Sequence, residues 1–260
     1  MTTHLHTSDL ARAVGVHPNT VRRYVERGWL PPTPRGANGY RHFTQQHLDC
    51  LRVACIVHIA VYPGRAMRLS GNKVAQSAVA DDWGAALKHA RAHLAFVHAE
   101  RAQAEAAARL LERWATGATG AAADMTQRPL RIGQVASLLD VSIDMLRNWE
   151  RNGLLTIPRN EQNRYRTYGP SEVSRLRVIR MLGRVGYSQM AMLRMLLRLD
   201  RGETTNLRHS LDTPAPDEDV YTAADRWLTT LAEQEAVARR LLVVIQEILS
   251  ARASRQTSPA

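Results

Sequence analysis

The chain has 260 residues, enough for two domains of ordinary size, of which 45% are hydrophobic and 23% charged. This composition is typical of a globular protein, and no run of about 18 uncharged apolar residues could span a membrane. The first residues lack the basic-then-apolar pattern of a secretory signal, so we expect a cytoplasmic protein. The net charge of +11, carried mostly by arginine, favours a polyanionic partner such as nucleic acid or an anionic membrane surface.

An internal repeat with an offset of 125 residues organises the chain, since residues 5–30 align with residues 130–155. The identities include Leu5/Leu130, Ala11/Ala136, Val16/Val141, Arg22/Arg147, Gly28/Gly153 and Leu30/Leu155. The match continues without a net gap as far as Tyr62 and Tyr187. Residues 1–125 carry 15 basic and 9 acidic residues, and residues 126–260 carry 20 and 15. Two basic copies of one unit are therefore predicted.

Each copy begins with two short helices separated by a tight turn, the first of them at about 8–14 and 133–139. A serine is a strong N-cap, a proline suits the first helical position, and a glycine favours a helix end. The boundaries on this basis are Gly15 and Asp140 for the end of the first helix, His17-Pro18 and Ser142 for the start of the second, and Gly28 and Gly153 for its end. This pattern predicts a helix-turn-helix in each copy.

A segment rich in Pro, Gly and Asn follows at residues 29–43 and 154–168, and its ends can pair as short strands that form a wing. A third helix is then expected near Thr44 and near Pro170. A fourth is expected from Pro63 in the first copy and after Ser188 in the second. Residues 200–221, an acidic loop with no counterpart in the first copy, could cover a pocket.

Two long helices with seven-residue periodicity end the copies, at residues 82–115 and 222–252. The periodic positions are Trp83, Leu87, Ala90, Leu94, Val97, Arg101, Ala104, Ala108 and Leu111 in the first, and Trp227, Leu231, Gln234, Ala238, Leu241, Ile245 and Ile248 in the second. We expect these helices to pair, although each could instead pack on its own domain core. The short linker 116–128 favours an antiparallel pair, because a parallel one requires a return along the whole coil.

The predicted fold class is therefore mainly α, with two winged helix-turn-helix domains whose long helices form an antiparallel coiled coil. The expected boundaries are 1–81 (first winged domain), 82–115 (first long helix), 116–128 (linker), 129–221 (second winged domain), 222–252 (second long helix) and 253–260 (tail).

These features resemble the mercury-resistance-regulator (MerR) family of bacterial transcription factors. The family motif is a Thr-Leu-Arg-Tyr-Tyr-like segment, then Gly-Leu-Leu, then Pro-Arg and Tyr-Arg-x-Tyr. The matching segments are Thr20-Val21-Arg22-Arg23-Tyr24, Gly28-Trp29-Leu30, Pro34-Arg35 and Tyr40-Arg41-His42-Phe43 in the first copy, and Met145-Leu146-Arg147-Asn148-Trp149, Gly153-Leu154-Leu155, Pro158-Arg159 and Tyr165-Arg166-Thr167-Tyr168 in the second. Most family members carry one copy and dimerise, whereas this chain carries two. The resemblance implies a regulator that distorts promoter DNA so that RNA polymerase can engage it.

The candidate DNA-binding residues lie on the second helix and the wing of each copy. In the first copy they are His17, Asn19, Thr20, Arg22, Arg23, Tyr24, Arg35, Tyr40 and Arg41. In the second they are Ile143, Asp144, Arg147, Asn148, Trp149, Arg159, Tyr165 and Arg166. Arginine and asparagine can read base edges, and wing arginines can hold phosphates. Tyr24 and Trp149 are equally well explained as core residues. Because the two sets differ, we expect an asymmetric operator.

No cofactor is predicted, and the signals for an effector are weak. Trp83, Trp114 and Trp227 could line an apolar ligand pocket, but packing at helix ends is the more ordinary role. His89, His93 and His98 lack cysteine or carboxylate ligands in register, so a solvated helix face is favoured over a metal site. Cys50 and Cys55 lie about 140° apart around a predicted helix, which disfavours a disulfide and indicates small buried residues.

The predicted function is a sequence-specific, DNA-binding transcription regulator that acts as a single-chain pseudo-dimer or a homodimer, with a small-molecule effector as a further candidate partner. One alternative is an architectural or recombination accessory protein that binds DNA. Another is a resistance protein that sequesters a small molecule. No nucleophile with an adjacent base and no phosphate-binding loop is found, so an enzyme is not expected.

Overall fold

A computed structural model describes residues 5–36, 39–117, 129–214 and 223–257, and the chain is mainly helical over these ranges. The helices are α1 (Thr7–Val14), α2 (Pro18–Glu26), α3 (Gln45–Ile59), α4 (Arg65–Val79), α5 (Trp83–Ala115), α6 (Ile132–Leu139), α7 (Ile143–Arg151), α8 (Pro170–Arg184), α9 (Gln189–Asp200), α10 (Leu207–Asp212) and α11 (Trp227–Thr257), with a short 3-10 helix at Ala223–Arg226. Two compact units divide them: Met1–Ala99 with Ala232–Ala260, and Glu100–Leu231. The linker predicted at 116–128 lies almost entirely outside the described residues.

The turn between the first two helices has the same construction in both units. Gly15 ends α1 with a φ of 71°, and Asp140 ends α6 with a φ of 49°. Asparagine and aspartate are the residues after glycine that best tolerate this left-handed conformation, which explains how a glycine and an aspartate serve at equivalent positions. The helix pairs α1–α2 and α6–α7 are those predicted from the sequence.

The hairpin segments contain isolated antiparallel bridges in place of the predicted short strands. In the first unit Arg35 pairs with Arg41, and Leu5 pairs with Phe43 at the base. The second unit repeats the pattern, with bridges from Arg159 to Arg166 and from Leu130 to Tyr168. The described part of the hairpin therefore closes on the segment that precedes the first helix.

The core of the first unit combines its helix-turn-helix with parts of both long helices. Leu51 and Phe43 are fully buried in one apolar cluster with Ala90 of α5 and Ile245 of α11. At one end of this arrangement the Arg252 guanidinium lies over the ring of Trp83, 5.5 Å from its centroid. Further along, His98 Nε2 lies 3.1 Å from Glu235 Oε1. Both contacts join a residue of α5 to a residue of α11 within the first unit.

The second unit has its own core, around α8 and α9. Ile179, Leu182 and Met195 are fully buried there. Trp227 packs against Gly186, where an added Cβ would come within 2.6 Å of the indole ring. The indole nitrogen donates a hydrogen bond of 2.6 Å to the carbonyl oxygen of Val185.

The periodic stripe of each long helix is shielded from solvent. All seven predicted positions of α11 are buried, as are six of the nine on α5. The other three, Leu87, Leu94 and Arg101, are half-buried. The stripe therefore marks a packing surface, although it does not by itself identify the partner.

Several boundaries differ from the sequence prediction by more than one residue. The fourth helix begins at Arg65 and not at Pro63, because Gly64 takes the extended N-cap position. Residues 207–212, expected to be loop, form α10, whose Leu207 and Leu211 are buried. The last helix begins at Trp227 and not at 222, and it continues through the predicted tail to Thr257. None of the described helices is long and apolar enough to cross a membrane.

Candidate nucleic-acid interface

The amino-terminal half of α2 presents polar side chains to solvent. His17 is the N-cap, and its Nδ1 accepts a hydrogen bond of 3.2 Å from the Asn19 backbone N–H. Asn19, Arg22 and Arg23 are exposed, while Thr20 is half-buried. One Arg22 N–H donates to the Asn19 side-chain oxygen at 3.0 Å, which holds the two groups together on one face.

Helix α7 presents the corresponding face of the second unit with a different charge pattern. Ser142 caps it by accepting a hydrogen bond of 3.0 Å from the Met145 backbone N–H. The Arg147 guanidinium lies 3.3 Å from the Asp144 carboxylate, and both side chains are well exposed. Ile143 is exposed and Asn148 half-buried.

Two exposed residues near α7 were not among the sequence candidates. Met145 is 44% exposed, and Asn152 donates hydrogen bonds to the side chains of Asn148 and Gln189. Met145 occupies the position of Thr20 in the repeat, and this alignment was the available signal for it. The apolar Met145 and Ile143 make this face chemically unlike that of α2.

The two aromatic candidates, Tyr24 and Trp149, lie in the cores of their units. Tyr24 is 3% exposed and Trp149 is 6% exposed. The Tyr24 ring contacts Trp29 edge-on, with centroids 4.9 Å apart, and Trp29 stacks on His58 at 3.6 Å. The structure thus favours the core-packing alternative for both, since rings so deeply buried support the recognition helix from beneath.

The hairpin arginines Arg35 and Arg159 make equivalent local contacts. Arg35 donates to the Gly39 carbonyl at 3.1 Å, and Arg159 donates to the Arg164 carbonyl at 3.4 Å. Both side chains are otherwise exposed, so each guanidinium is positioned while keeping donors free for a further acceptor.

The remaining hairpin candidates divide into exposed and engaged side chains. Tyr40 and Tyr165 are 68% and 69% exposed, the most open large hydrophobic residues in their hairpins. Arg41 is half-buried. Arg166 donates to Glu150 at 2.7 Å and is therefore already held in an ion pair.

The three candidate ligand-binding tryptophans serve mainly as packing residues. Trp83 and Trp227 are 4% and 7% exposed, and the Trp83 indole nitrogen donates to Asp81 at 2.7 Å. Trp114 is half-buried and donates to the Ser174 hydroxyl at 2.7 Å. Trp114 borders an open groove of about 620 Å³.

The histidines of α5 point to separate partners. His89 bonds the Ser77 hydroxyl at 2.9 Å, His98 contacts Glu235, and His93 is fully buried. No group of three potential metal ligands occurs among the described residues. The two cysteines are free and buried, and burial raises the pKa of Cys50 to about 12 and that of Cys55 to about 11.

Comparison with known proteins places both units in one family. Residues 6–43 match the model of the MerR family regulatory proteins, and residues 130–199 match that of the MerR HTH family regulatory proteins. No solved structure gives a significant match.

Individual relatives cover only part of the chain. The HTH-type transcriptional regulator CueR of Escherichia coli O6:H1 is 42% identical over 45 residues, 17% of this chain and 33% of CueR. The chain thus spans about a third of the length of the CueR proteins it matches. The mercuric resistance operon regulatory protein of Serratia marcescens is 28% identical over 127 residues, 49% of this chain and 79% of that protein. The corresponding protein of Pseudomonas fluorescens is 28% identical over 122 residues, 47% of this chain and 76% of that protein.

Both matched families consist of regulatory proteins. The two matched regions fall one in each half of the chain, in agreement with the 125-residue repeat. Each half of the chain therefore contains a region that matches a MerR-family model, and the chain carries two MerR-like units.

Proposed function

We propose that the protein is a sequence-specific DNA-binding transcription regulator in which α2 and α7 enter the major groove. The observation that carries this proposal is the exposed set Asn19, Arg22 and Arg23 at the start of a helix whose other face is buried. In a helix-turn-helix the amino-terminal residues of the second helix meet the base edges. Arginine can bridge guanine O6 and N7, and asparagine can pair with adenine, which discriminates by about 1–3 kcal/mol per good pair.

The hairpins supply the phosphate contacts in this proposal. Arg35 and Arg159 are exposed and oriented by one carbonyl each, and Tyr40 and Tyr165 offer phenol groups at the same sites. Phosphate contacts make binding depend on salt, and six to ten of them reduce the affinity by roughly 10³–10⁵-fold between 50 and 200 mM salt.

In this proposal, antiparallel pairing of α5 with α11 holds the two helix-turn-helix heads, α1–α2 and α6–α7, on one DNA duplex. The arrangement is supported by the composition of the units: the first contains the start of α5 and the end of α11, and the second contains the end of α5 and the start of α11. The contacts of Trp83 with Arg252 and of His98 with Glu235 run in that direction. One chain would then act as a pseudo-dimer, in place of the homodimer of single-copy proteins.

We further propose that binding bends and untwists promoter DNA so that RNA polymerase engages both promoter elements, and that a small molecule modulates this state. These steps come from the family resemblance. Deformation of this kind depends on the sequence that is deformed as well as on direct contacts. Since α2 and α7 differ at nearly every exposed position, the two half-sites should differ in sequence.

The test is selection of bound sites from random duplex DNA, followed by binding measurements with three variants of the full chain. Arg22→Ala should lower the affinity for the selected DNA site by roughly 5- to 150-fold, the equivalent of 1–3 kcal/mol. It should also relax the base preference at one base pair of the site. Arg147→Ala should do the same in the other half-site. Arg91→Ala, at an exposed position on α5, is the matched charge control and should change neither. A perfect palindrome, or equal losses in all three variants, would contradict the proposal.

A further inference from the structure

His93 on α5 is a fully buried histidine without a hydrogen-bond partner among the described residues. Its side chain is 0% exposed, and neither ring nitrogen has a hydrogen-bond partner among the described residues. Burial lowers the pKa of His93, which favours the neutral ring. In a neutral imidazole one nitrogen donates and the other accepts, so both capacities are unused in either tautomer. Buried polar groups nearly always have a partner, and here the described polypeptide supplies none.

Tyr62 and Gln234 of the same unit also carry a buried polar atom without a hydrogen-bond partner among the described residues. The Tyr62 ring, in the α3–α4 connection, meets the His93 ring edge-on with centroids 6.0 Å apart, and its buried hydroxyl has no partner. Gln234 of α11 donates from Nε2 to the Val61 carbonyl at 3.0 Å, which anchors it beside Tyr62. Its Oε1 is buried and unpaired. Tyr62 thus contacts His93 of α5, and Gln234 of α11 bonds the residue that precedes Tyr62; we call these three uncharged side chains the neutral cluster.

The second unit satisfies the equivalent tyrosine within the protein. Tyr187, at the repeat position of Tyr62, donates to the Ala104 carbonyl at 3.3 Å. A Cβ at Gly71 would lie 2.5 Å from the Tyr62 hydroxyl oxygen, so the glycine makes room for this unpaired group. The cluster is therefore a feature of the first unit and not a general property of the repeat.

We propose that the neutral cluster of Tyr62, His93 and Gln234 binds one small, uncharged, hydrogen-bonding molecule of the azole or primary amide class. The imidazole and phenol both donate and accept, the carboxamide oxygen accepts, and none of the three carries a formal charge. Glu235, the neighbouring carboxylate, is engaged by His98. Tyr62 is half-buried and Val61 is 77% exposed, so the α3–α4 connection lies at the protein surface.

A small molecule bound at the neutral cluster would link the elements that support the first helix-turn-helix. The cluster joins α5, α11 and the connection between α3 and α4, and both α3 and α11 contribute to the core beneath α2. Coupling of the site to DNA affinity rests on the proposed function. Binding of the small molecule does not, because it requires only the folded first unit.

The binding test uses the full chain without DNA, with pyrazole and acetamide as probes in thermal unfolding. At least one probe should raise the unfolding midpoint of the wild-type chain in a dose-dependent manner, because it binds the folded state only. Tyr62→Phe and Gln234→Met should abolish this shift. Tyr187→Phe is the matched control, since it removes the same group from the second unit and should retain the shift. A crystal structure with the probe should then show it within hydrogen-bond distance of His93.

Three outcomes would overturn the proposal. One is a midpoint shift of equal size in Tyr62→Phe, Gln234→Met and the wild type. Another is ordered water at His93 with no probe-dependent shift, which would reduce the cluster to a hydration site. The third is a structure in which the three side chains bond each other directly. Loss of DNA binding with an intact probe response would instead count against the proposed function alone.

Discussion

Ile245 lies on the last helix of the chain, yet its side chain belongs to the core of the first unit. It is 0% exposed and shares a cluster with Leu51 of α3 and Ala90 of α5. Ile245→Ala deletes three carbon atoms, which at about 0.8 kcal/mol each is a transfer loss of about 2.4 kcal/mol. The cavity that remains adds to this loss, and Ile→Ala substitutions in cores cost roughly 2–5 kcal/mol in all. We expect a loss of about 3–4 kcal/mol in the free energy of unfolding of the first unit.

The assay is native-state hydrogen exchange of the full chain, which reports on each unit separately. Protection should fall in α1 and α3, more than 180 residues before the substituted position. Val243→Ala is the control on the same helix, because Val243 is 51% exposed and should lose less than about 0.5 kcal/mol. If α3 kept its protection in Ile245→Ala while only the second unit weakened, the end of α11 would not be part of the first core.

Three other perturbations test separate parts of the structure. Asp212 accepts hydrogen bonds from the backbone N–H and hydroxyl of Thr229 at the start of α11, so Asp212→Ala should cost about 0.5–2 kcal/mol in chemical denaturation. Cys50 and Cys55, whose pKa values burial raises to about 12 and 11, should resist iodoacetamide at pH 8 until the protein unfolds, as followed by mass spectrometry. The pKa of His93 is lowered by burial, so the unfolded chain binds the proton more readily and stability should fall as the pH drops below about 6.5. Denaturation at several pH values should show a shallower fall in His93→Phe, and an unchanged slope would mean that folding does not change the pKa of His93.

The helix starts were predictable wherever a local cap determines them. Ser142 and Ser188 accept hydrogen bonds from the backbone three residues on, as serine N-caps do. Asp140 was also placed correctly at the end of the first helix, because the repeat aligned it with Gly15. Such boundaries depend on a few neighbouring residues, and these are visible in the sequence.

The boundaries that failed depend on tertiary contacts. Helix α10 has only six residues, too few for a period, and it forms where Leu207 and Leu211 are buried. The last helix begins at Trp227, whose indole is bonded to Val185, 42 residues earlier. No local pattern in the acidic segment could indicate either contact.

The candidate interface was predictable in its exposed residues and ambiguous in its aromatic ones. Tyr24 follows the buried Val21 by three positions, and Trp149 follows the buried Leu146 by three. That spacing places both rings on the buried face of the helix. Helical periodicity therefore predicted their burial, whereas the family motif suggested a role at the DNA. The cluster around His93 could not be inferred, because it requires three elements to meet.

The repeat retains Arg22 and Arg41 as Arg147 and Arg166, but it does not retain their electrostatic setting. Arg22 donates to the neutral amide of Asn19, whereas Arg147, its counterpart, lies beside the Asp144 carboxylate. In the same way Arg166 is paired with Glu150, a position that Val25 holds in the first copy. An arginine that already has a carboxylate partner must exchange it for a phosphate, whereas one bonded to an amide brings its full charge. The salt-dependent part of DNA affinity should therefore reside mainly in the first head, and the contribution of the second should depend more on shape and on apolar contacts such as those of Ile143.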